Sequence, residues 1–223
     1  DDHFMGTTHV VRGEEWLATL NIHLQLFRTM GWKAPKYVHT AQLMKMDGGS
    51  KRKLSKRKDP ELALDFYNAE GYPVPSVLEY LMTLLNSNFE DWRLANPTAP
   101  MGDFQFTTKK MGNSGSLFDI DKLKDVSKNT ISVMSADQVY DEVTAWAKDF
   151  DPQLYTLLTA DQQKAKAIFA IGRGGAKPRK DIAIWSEVKD YVAFFYEELF
   201  TAASESPENV STQDALDILT QYR

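Results

Sequence analysis

Lys51-Arg52-Lys53-Leu54-Ser55-Lys56-Arg57-Lys58, followed at once by Asp59-Pro60, sets the terms for reading this chain. Six of its first eight residues are cationic, yet the 223 residues hold 26 Lys and Arg against 31 Asp and Glu, a net charge of −5. Packed like charges repel, so such a knot costs folding energy unless an anion or an acidic neighbour neutralises it. Lys53 and Lys56 flank Leu54-Ser55, so two ammonium groups and a hydroxyl are available to one polyanion, with Leu54 as an apolar anchor. Just upstream, Asp47-Gly48-Gly49-Ser50 has turn chemistry and two glycines, which describes a loop able to open and close. The combination is that of a phosphate-handling loop. Taken alone, a run of Lys and Arg is usually a solvated face or a generic nucleic-acid patch.

Working outward, the first twelve residues contain an extended segment, Met5 to Arg12, closed by Gly13. From Glu14, the apolar residues Trp16, Leu17, Leu20, Leu24, Leu26, Phe27 and Met30 recur near helical spacing, with Glu14 and Glu15 in the first turn and Gly31 as a stop. Pro35 opens a new extended piece, and Lys36 to Thr40 and Leu43 to Met46 read as two short strands leading into the cationic run. Beyond Pro60 the pattern turns helical. A short helix around Leu62, Leu64, Phe66 and Tyr67 ends at Gly71, and Val77 to Leu85 follows with Leu78, Leu81, Leu84 and Leu85 facing inward. Residues 86–116, rich in Asn, Gly, Ser and Pro, read as a connector with one strand at Phe104 to Thr107. Further helices are expected at Asp119 to Val133, Ser135 to Phe150 with Ser135 as N-cap, Gln153 to Leu158, Asp161 to Ile171, Trp185 to Leu199 and Thr212 to Tyr222.

Three segments then bear a family resemblance. Lys53-Leu54-Ser55-Lys56-Arg57 resembles the second signature, of the Lys-Met-Ser-Lys-Ser type, of class I aminoacyl-tRNA synthetases. Thr8-His9-Val10-Val11-Arg12-Gly13-Glu14-Glu15-Trp16-Leu17 and Phe118-Asp119-Ile120-Asp121-Lys122-Leu123 are similar to segments of glutamyl-tRNA synthetases. Three matches in the family's order are more specific than any one of them. The resemblance covers most of the chain, more loosely after about Ser135.

The resemblance implies a fold: an α/β remnant of a class I synthetase nucleotide-binding domain followed by a mainly α-helical region. Residues 1–58 would be the end of the catalytic α/β domain, 59–116 a helical stem-contact region and connector, and 117–223 a helical bundle leading into a truncated anticodon-binding region. It also implies roles. Lys53, Ser55, Lys56 and Arg57 would form the catalytic loop, with Lys56 also an ATP ligand. Arg12 would read a carboxylate of glutamate and Trp16 would shape that pocket. Glu15 would contact ATP, and Leu43 and Met44 would pack its adenine, although core packing accounts for that pair equally well. The reaction implied is attachment of L-glutamate to tRNA(Glu) through a glutamyl-adenylate, in the cytoplasm. ATP would carry its own Mg²⁺, with no protein metal ligands, and neither membrane nor DNA would be a partner. The His-Ile-Gly-His signature of the family has no match, so the expectation is the back part of such an enzyme, inactive by itself. A non-catalytic helical tRNA-binding fragment and a glutamine-specific relative stay open.

Composition bounds the rest. Hydrophobic residues make up 43% and charged residues 26%, the balance of a folded domain. With no Cys there is neither a disulfide framework nor a Cys-ligated zinc. The four histidines (His3, His9, His23, His39) lack metal-ligand spacing, and His9 reads as a packing residue. The second basic stretch, Gly172 to Lys180, lacks the Gly-Lys-Ser/Thr ending of a P-loop and reads as a solvated loop between helices, a tRNA-backbone contact being the alternative.

Overall fold

Strand β1 (His9–Gly13) pairs in parallel with β2 (Lys36–Thr40), in a register that sets Arg12 beside His39. A parallel pair needs a crossover. Here it is a 3-10 turn, Glu14–Thr19, running into helix α1 (Leu20–Thr29) and stopped by Gly31 at φ 69°. The computed structural model describes residues 1–112, 114–201 and 210–221 of the chain. The extended start expected from Met5 begins only at His9. Residues 2–6 form a turn, because their amides bond locally (Met5 to Asp1, Thr7 to Asp2) instead of finding a strand partner. His9, expected to pack, is exposed beside Thr8.

Two residues after β2, strand β3 (Leu43–Asp47) begins, and it folds back antiparallel onto β4 (Ser50–Lys53). The turn residues Gly48 and Gly49 have φ of 55° and 85°, the left-handed pair that a two-residue hairpin requires. The first half of the cationic run is therefore strand, and only its second half is loop. A short strand, β5 (Ser116–Leu117), returns to lie parallel to β3, giving the order β4-β3-β5. No strand lies beyond Leu117 among the described residues.

The remaining elements are helical: α2 (Leu64–Glu70), α3 (Val74–Leu85), α4 (Phe89–Ala95), α5 (Ile120–Ser132), α6 (Ala136–Phe150), α7 (Pro152–Ala160), α8 (Gln162–Ala170), α9 (Val188–Val192) and α10 (Thr212–Gln221). Tyr222, assigned above to the last helix, lies outside the described residues. Three expectations need correction. Leu78 and Leu81 are exposed, because α3 meets α5 through the face of Ser76 and Tyr80; the Ser127 hydroxyl donates to the Ala183 carbonyl and is hydrogen-bonded to the Ser76 hydroxyl, and the Asp119 amide donates to Tyr80. Phe104 to Thr107 is not a strand, since Phe104 plugs an aromatic cluster with Phe89 and Trp92, while Phe89 itself opens the unforeseen helix α4. Finally, Trp185 to Leu199 is broken: the buried positions Trp185, Val188, Val192 and Tyr196 keep helical spacing, but the backbone tightens into 3-10 turns on both sides of α9.

Two apolar clusters result. One runs from α5 to just past α9, built on Ile131, Val143, Leu154, Phe169, Val188 and their neighbours. The other joins the hairpin to the helices: Leu54 packs with Tyr72, Tyr80, Phe118, Leu123 and Ile184, with Leu43 against them.

Candidate functional site

Side chains alternate between the faces of a hairpin. The register pairs Lys45 with Arg52 and Met44 with Lys53, so these pairs lie on opposite faces. Leu43 shares the inner face with Lys45 and packs into the core cluster. Met44 shares the outer face with Lys53 and packs against Gly115, where a Cβ would come within 2.3 Å of the Met44 side chain. Leu43 and Met44 thus point apart and do not present their side chains as one patch.

Leu54 follows Lys53 as the plug of the loop. It is buried, and its amide donates to the Leu43 carbonyl at 3.1 Å. Beyond it the chain closes a single turn: the amides of Lys58 and Asp59 donate to the Ser55 carbonyl at 3.1 and 2.9 Å. Asp59 completes that turn from the other side. Its carboxylate accepts from the Ser55 amide at 2.8 Å and from both terminal nitrogens of Arg52, each at 2.7 Å. The third donor of Arg52, Nε, reaches Asp47 at 2.6 Å. Lys45 stands 3.8 Å from Asp59 and pairs with Glu61.

The electrostatics follow from this geometry. Hydrogen bonding from Arg52, and next from the Ser55 amide, holds the Asp59 carboxyl well below the usual carboxylate range. The same bond, seconded by Asp47, raises Arg52 above its ordinary value. Arg52 is therefore occupied by acids at both ends, and the cationic run neutralises part of itself. Lys53, Lys56 and Arg57 differ: all three are exposed, and among the described residues neither they nor Lys51 and Lys58 have an ion-pair partner. A backbone fixed at Leu54, Ser55 and Asp59 that displays uncommitted ammonium and guanidinium groups is suited to a polyphosphate.

The second set of residues sits on the β1–β2 pair. Arg12 Nε donates to His39 Nε2 at 3.2 Å, and Nη2 donates to the Trp16 carbonyl at 3.3 Å. Its guanidinium lies over the Tyr37 ring at 5.0 Å and near the Trp16 ring at 6.0 Å. Arg12 and Trp16 do come together, and Trp16 is 51% exposed rather than a core residue. Glu15 does not pair with Arg12; its exposed carboxylate folds back over Gly13, where a Cβ would stand 2.1 Å from it. The two sets are linked through the Gln42 amide, which donates to Glu14 at 3.4 Å beside the start of β3.

Sequence reasoning missed Arg52, Asp59, His39 and Tyr37. Asp59 had a signal, since the one acid that ends a cationic run is the natural partner of a cation within it. His39 had none until the parallel register placed it opposite Arg12. The loop at Gly172–Lys180 is also less free than expected: burial lowers Arg173, whose Nη1 donates to the Ile131 carbonyl at 2.6 Å near the end of α5, and Arg179 pairs with Asp181 at 2.7 Å.

Residues 1–125 match the family described as tRNA synthetases class I (E and Q), catalytic domain. The whole chain is 49% identical to the glutamate–tRNA ligase of Acetivibrio thermocellus and 50% identical to that of Clostridium beijerinckii, covering 41% of the length of each. It spans well under half of the curated relatives it matches. Among solved structures, a glutamate tRNA ligase from Elizabethkingia meningosepticum, in complex with its amino acid, aligns over all of this chain and 44% of its own, with a TM-score of 0.69 and 23% identity. That likeness shows a shared fold. Among the described residues, no helix is long and apolar enough to cross a membrane, and no group of three or more His, Cys, Asp or Glu could hold a metal ion.

Proposed function

This chain belongs to the family of class I tRNA synthetases for glutamate and glutamine, and on that premise we propose that it works in an enzyme attaching L-glutamate to tRNA(Glu) through a glutamyl-adenylate. The observation that carries the reading is the closed turn at Ser55–Asp59, around which Lys53, Lys56 and Arg57 are exposed and have no ion-pair partner among the described residues. Amino-acid activation is an in-line attack of a carboxylate on the α-phosphorus of ATP, with pyrophosphate leaving. The protein has to position the reactants and neutralise charge gathering on the phosphate oxygens. Lys56 is assigned to the phosphates, assisted by Lys53, Arg57 and the Ser55 hydroxyl.

Arg12, braced by His39 and the Trp16 carbonyl, is assigned to a carboxylate of glutamate, with the Trp16 ring as a wall of that pocket. Glu15 is assigned as acceptor for a ribose hydroxyl. Met44 and the Leu43 backbone are assigned to the adenine, because the Leu43 side chain is committed to the core. Mg²⁺ would arrive with ATP and screen its phosphates. Residues 59–116 are assigned to contact with the tRNA stem and 117–223 to the helical bundle leading toward anticodon recognition, in an enzyme of the cytoplasm.

The test is ATP–pyrophosphate exchange by the gene product that carries this chain, purified at full length, with tRNA present. Exchange that depends on glutamate is expected. Exchange with glutamine instead would move the assignment to the amide-specific branch, and exchange with neither would end the reading. In the same assay Arg12→Ala should raise the glutamate requirement with little change in the ATP requirement, because it removes a carboxylate partner.

A further inference from the structure

We propose that Asp59 is the positioning residue of the cationic turn, fixing through the Arg52 fork and the Ser55 amide where Lys53, Ser55 and Lys56 meet a phosphate ligand. This rests on the adenylate-forming reading above and adds to it a residue that touches no substrate. Three observations carry it. First, the Asp59 side chain is 1% exposed, yet both its oxygens are bonded: one accepts from Arg52 Nη2, the other from Arg52 Nη1 and the Ser55 amide. Second, the turn is anchored from both sides: Arg52 is held between Asp47 of the hairpin and Asp59, Leu54 enters the core, and the Ser55 carbonyl accepts from two amides. Third, the side chains left out of this web are those of Lys53, Lys56, Arg57 and Lys58, whose ammonium and guanidinium groups have no ion-pair partner among the described residues.

Stability alone does not account for the arrangement. A buried ion pair is often no better than apolar side chains of the same volume, because desolvation offsets the Coulomb gain. Its specific contribution is geometry, since a carboxylate and a guanidinium meet in one planar, two-bond orientation. That plane ties the end of β4 to the start of the next helical segment and holds the Ser55 amide between them. A lysine in place of Arg52 would keep the charge and lose the plane.

Two measurements on the full-length gene product test this, for wild type, Asp59→Asn and Arg52→Lys. One is hydrogen exchange of the amides from Leu54 to Lys58; the other is ATP–pyrophosphate exchange, resolved into rate and glutamate KM. Asp59→Asn is expected to speed amide exchange at least about tenfold. It should lower the exchange rate on the order of a hundredfold, as a displaced reacting group does, with glutamate KM within about twofold. Arg52→Lys should move both readouts in the same direction by less, and it serves if Asp59→Asn does not fold. Unchanged protection and rate in a folded variant would overturn the proposal. So would a rate loss that vanishes once corrected for the folded fraction, the mark of a merely structural role. If wild type shows no glutamate-dependent exchange, the adenylate reading fails by itself. The amide arm still judges the clamp: lost protection at Ser55 in the variants sustains it, and retained protection sinks it.

Discussion

Between Asp1 and Lys53, Phe27 is the one buried residue, whereas the apolar cluster of the helical region contains fifteen among the described residues, from Ile131 to Tyr196. Both regions are ordered by their sequence, but by different forces. The helical cluster is held by apolar burial, which is non-directional and tolerant of small shifts. The β1–β4 region is held by directed contacts: Arg12 to His39, Gln42 to Glu14, and Arg52 to Asp47 and Asp59. Directed contacts fix angles, and a site that must hold phosphates and a carboxylate needs angles more than it needs depth. The difference teaches where to look for function: in a region that buries little and bonds specifically.

The sharpest way to break the comparison is to delete burial in each region. Phe169 is fully buried among the helices, and Phe169→Ala should cost about 4 kcal/mol, the transfer loss plus the cavity left behind. Trp16, half exposed, loses far less: Trp16→Ala should stay within about 0.5 kcal/mol of wild type in stability. Denaturant midpoints of the two variants decide it. Equal losses would mean that the thin region carries more of the fold than its burial allows.

The next effect lies in rate. Lys56→Ala in the full-length gene product should lower adenylate formation by about 3 kcal/mol of activation free energy, on the order of a hundredfold, and leave glutamate binding nearly intact. The charge is needed chiefly as pyrophosphate departs, so the loss belongs to the chemical step. Lys53→Ala should act in the same direction, and the double variant should fall short of additive if both ammonium groups serve one polyanion. Single-turnover kinetics separates these outcomes. An unchanged activation rate with collapsed tRNA binding would make the turn an RNA contact instead.

How much of this was legible beforehand follows from the same division of forces. Helical burial writes itself as periodicity, so α5, α6, α7 and α8 sit within a residue or two of where spacing and caps put them. The glycine pair announced a turn, although a mobile loop was expected where a tight hairpin closes on strand β4, and Leu54 was rightly read as the anchor of the loop that follows. Directed contacts leave no period. Nothing in the string says that Arg52 belongs to Asp59 while Lys53 points to the other side, because that choice depends on the face of the hairpin each residue occupies. The seven residues of α4 were hidden for another reason: Asn86 to Asn88 and Asn96 to Pro97 flank them with loop chemistry, and the aromatic partner that stabilises the helix, Phe104, comes later in the chain. Likewise, Leu78 and Leu81 looked inward on spacing alone, and it took the Ser76–Ser127 contact to choose the other face of α3.

The smallest effect tests whether the helical region is held by burial even where it has good polar contacts. Ser135 caps α6 in a reciprocal box: its side chain accepts from the Gln138 amide at 3.1 Å, and the Gln138 side chain accepts from the Ser135 amide at 2.8 Å. Two of the helix's open donors are satisfied this way. Ser135→Ala removes one of those bonds, yet the box is exposed, so water can take its place. The expected cost is about 1 kcal/mol, well below that of Phe169→Ala. Ser135→Asp, which keeps an acceptor at the helix N-terminus and adds a charge the dipole favours, should recover most of it. Thermal or denaturant unfolding of the three proteins reads this directly. A loss from Ser135→Ala as large as that from Phe169→Ala would mean that directed contacts hold the helical region too, and the contrast between the two halves of the chain would fall.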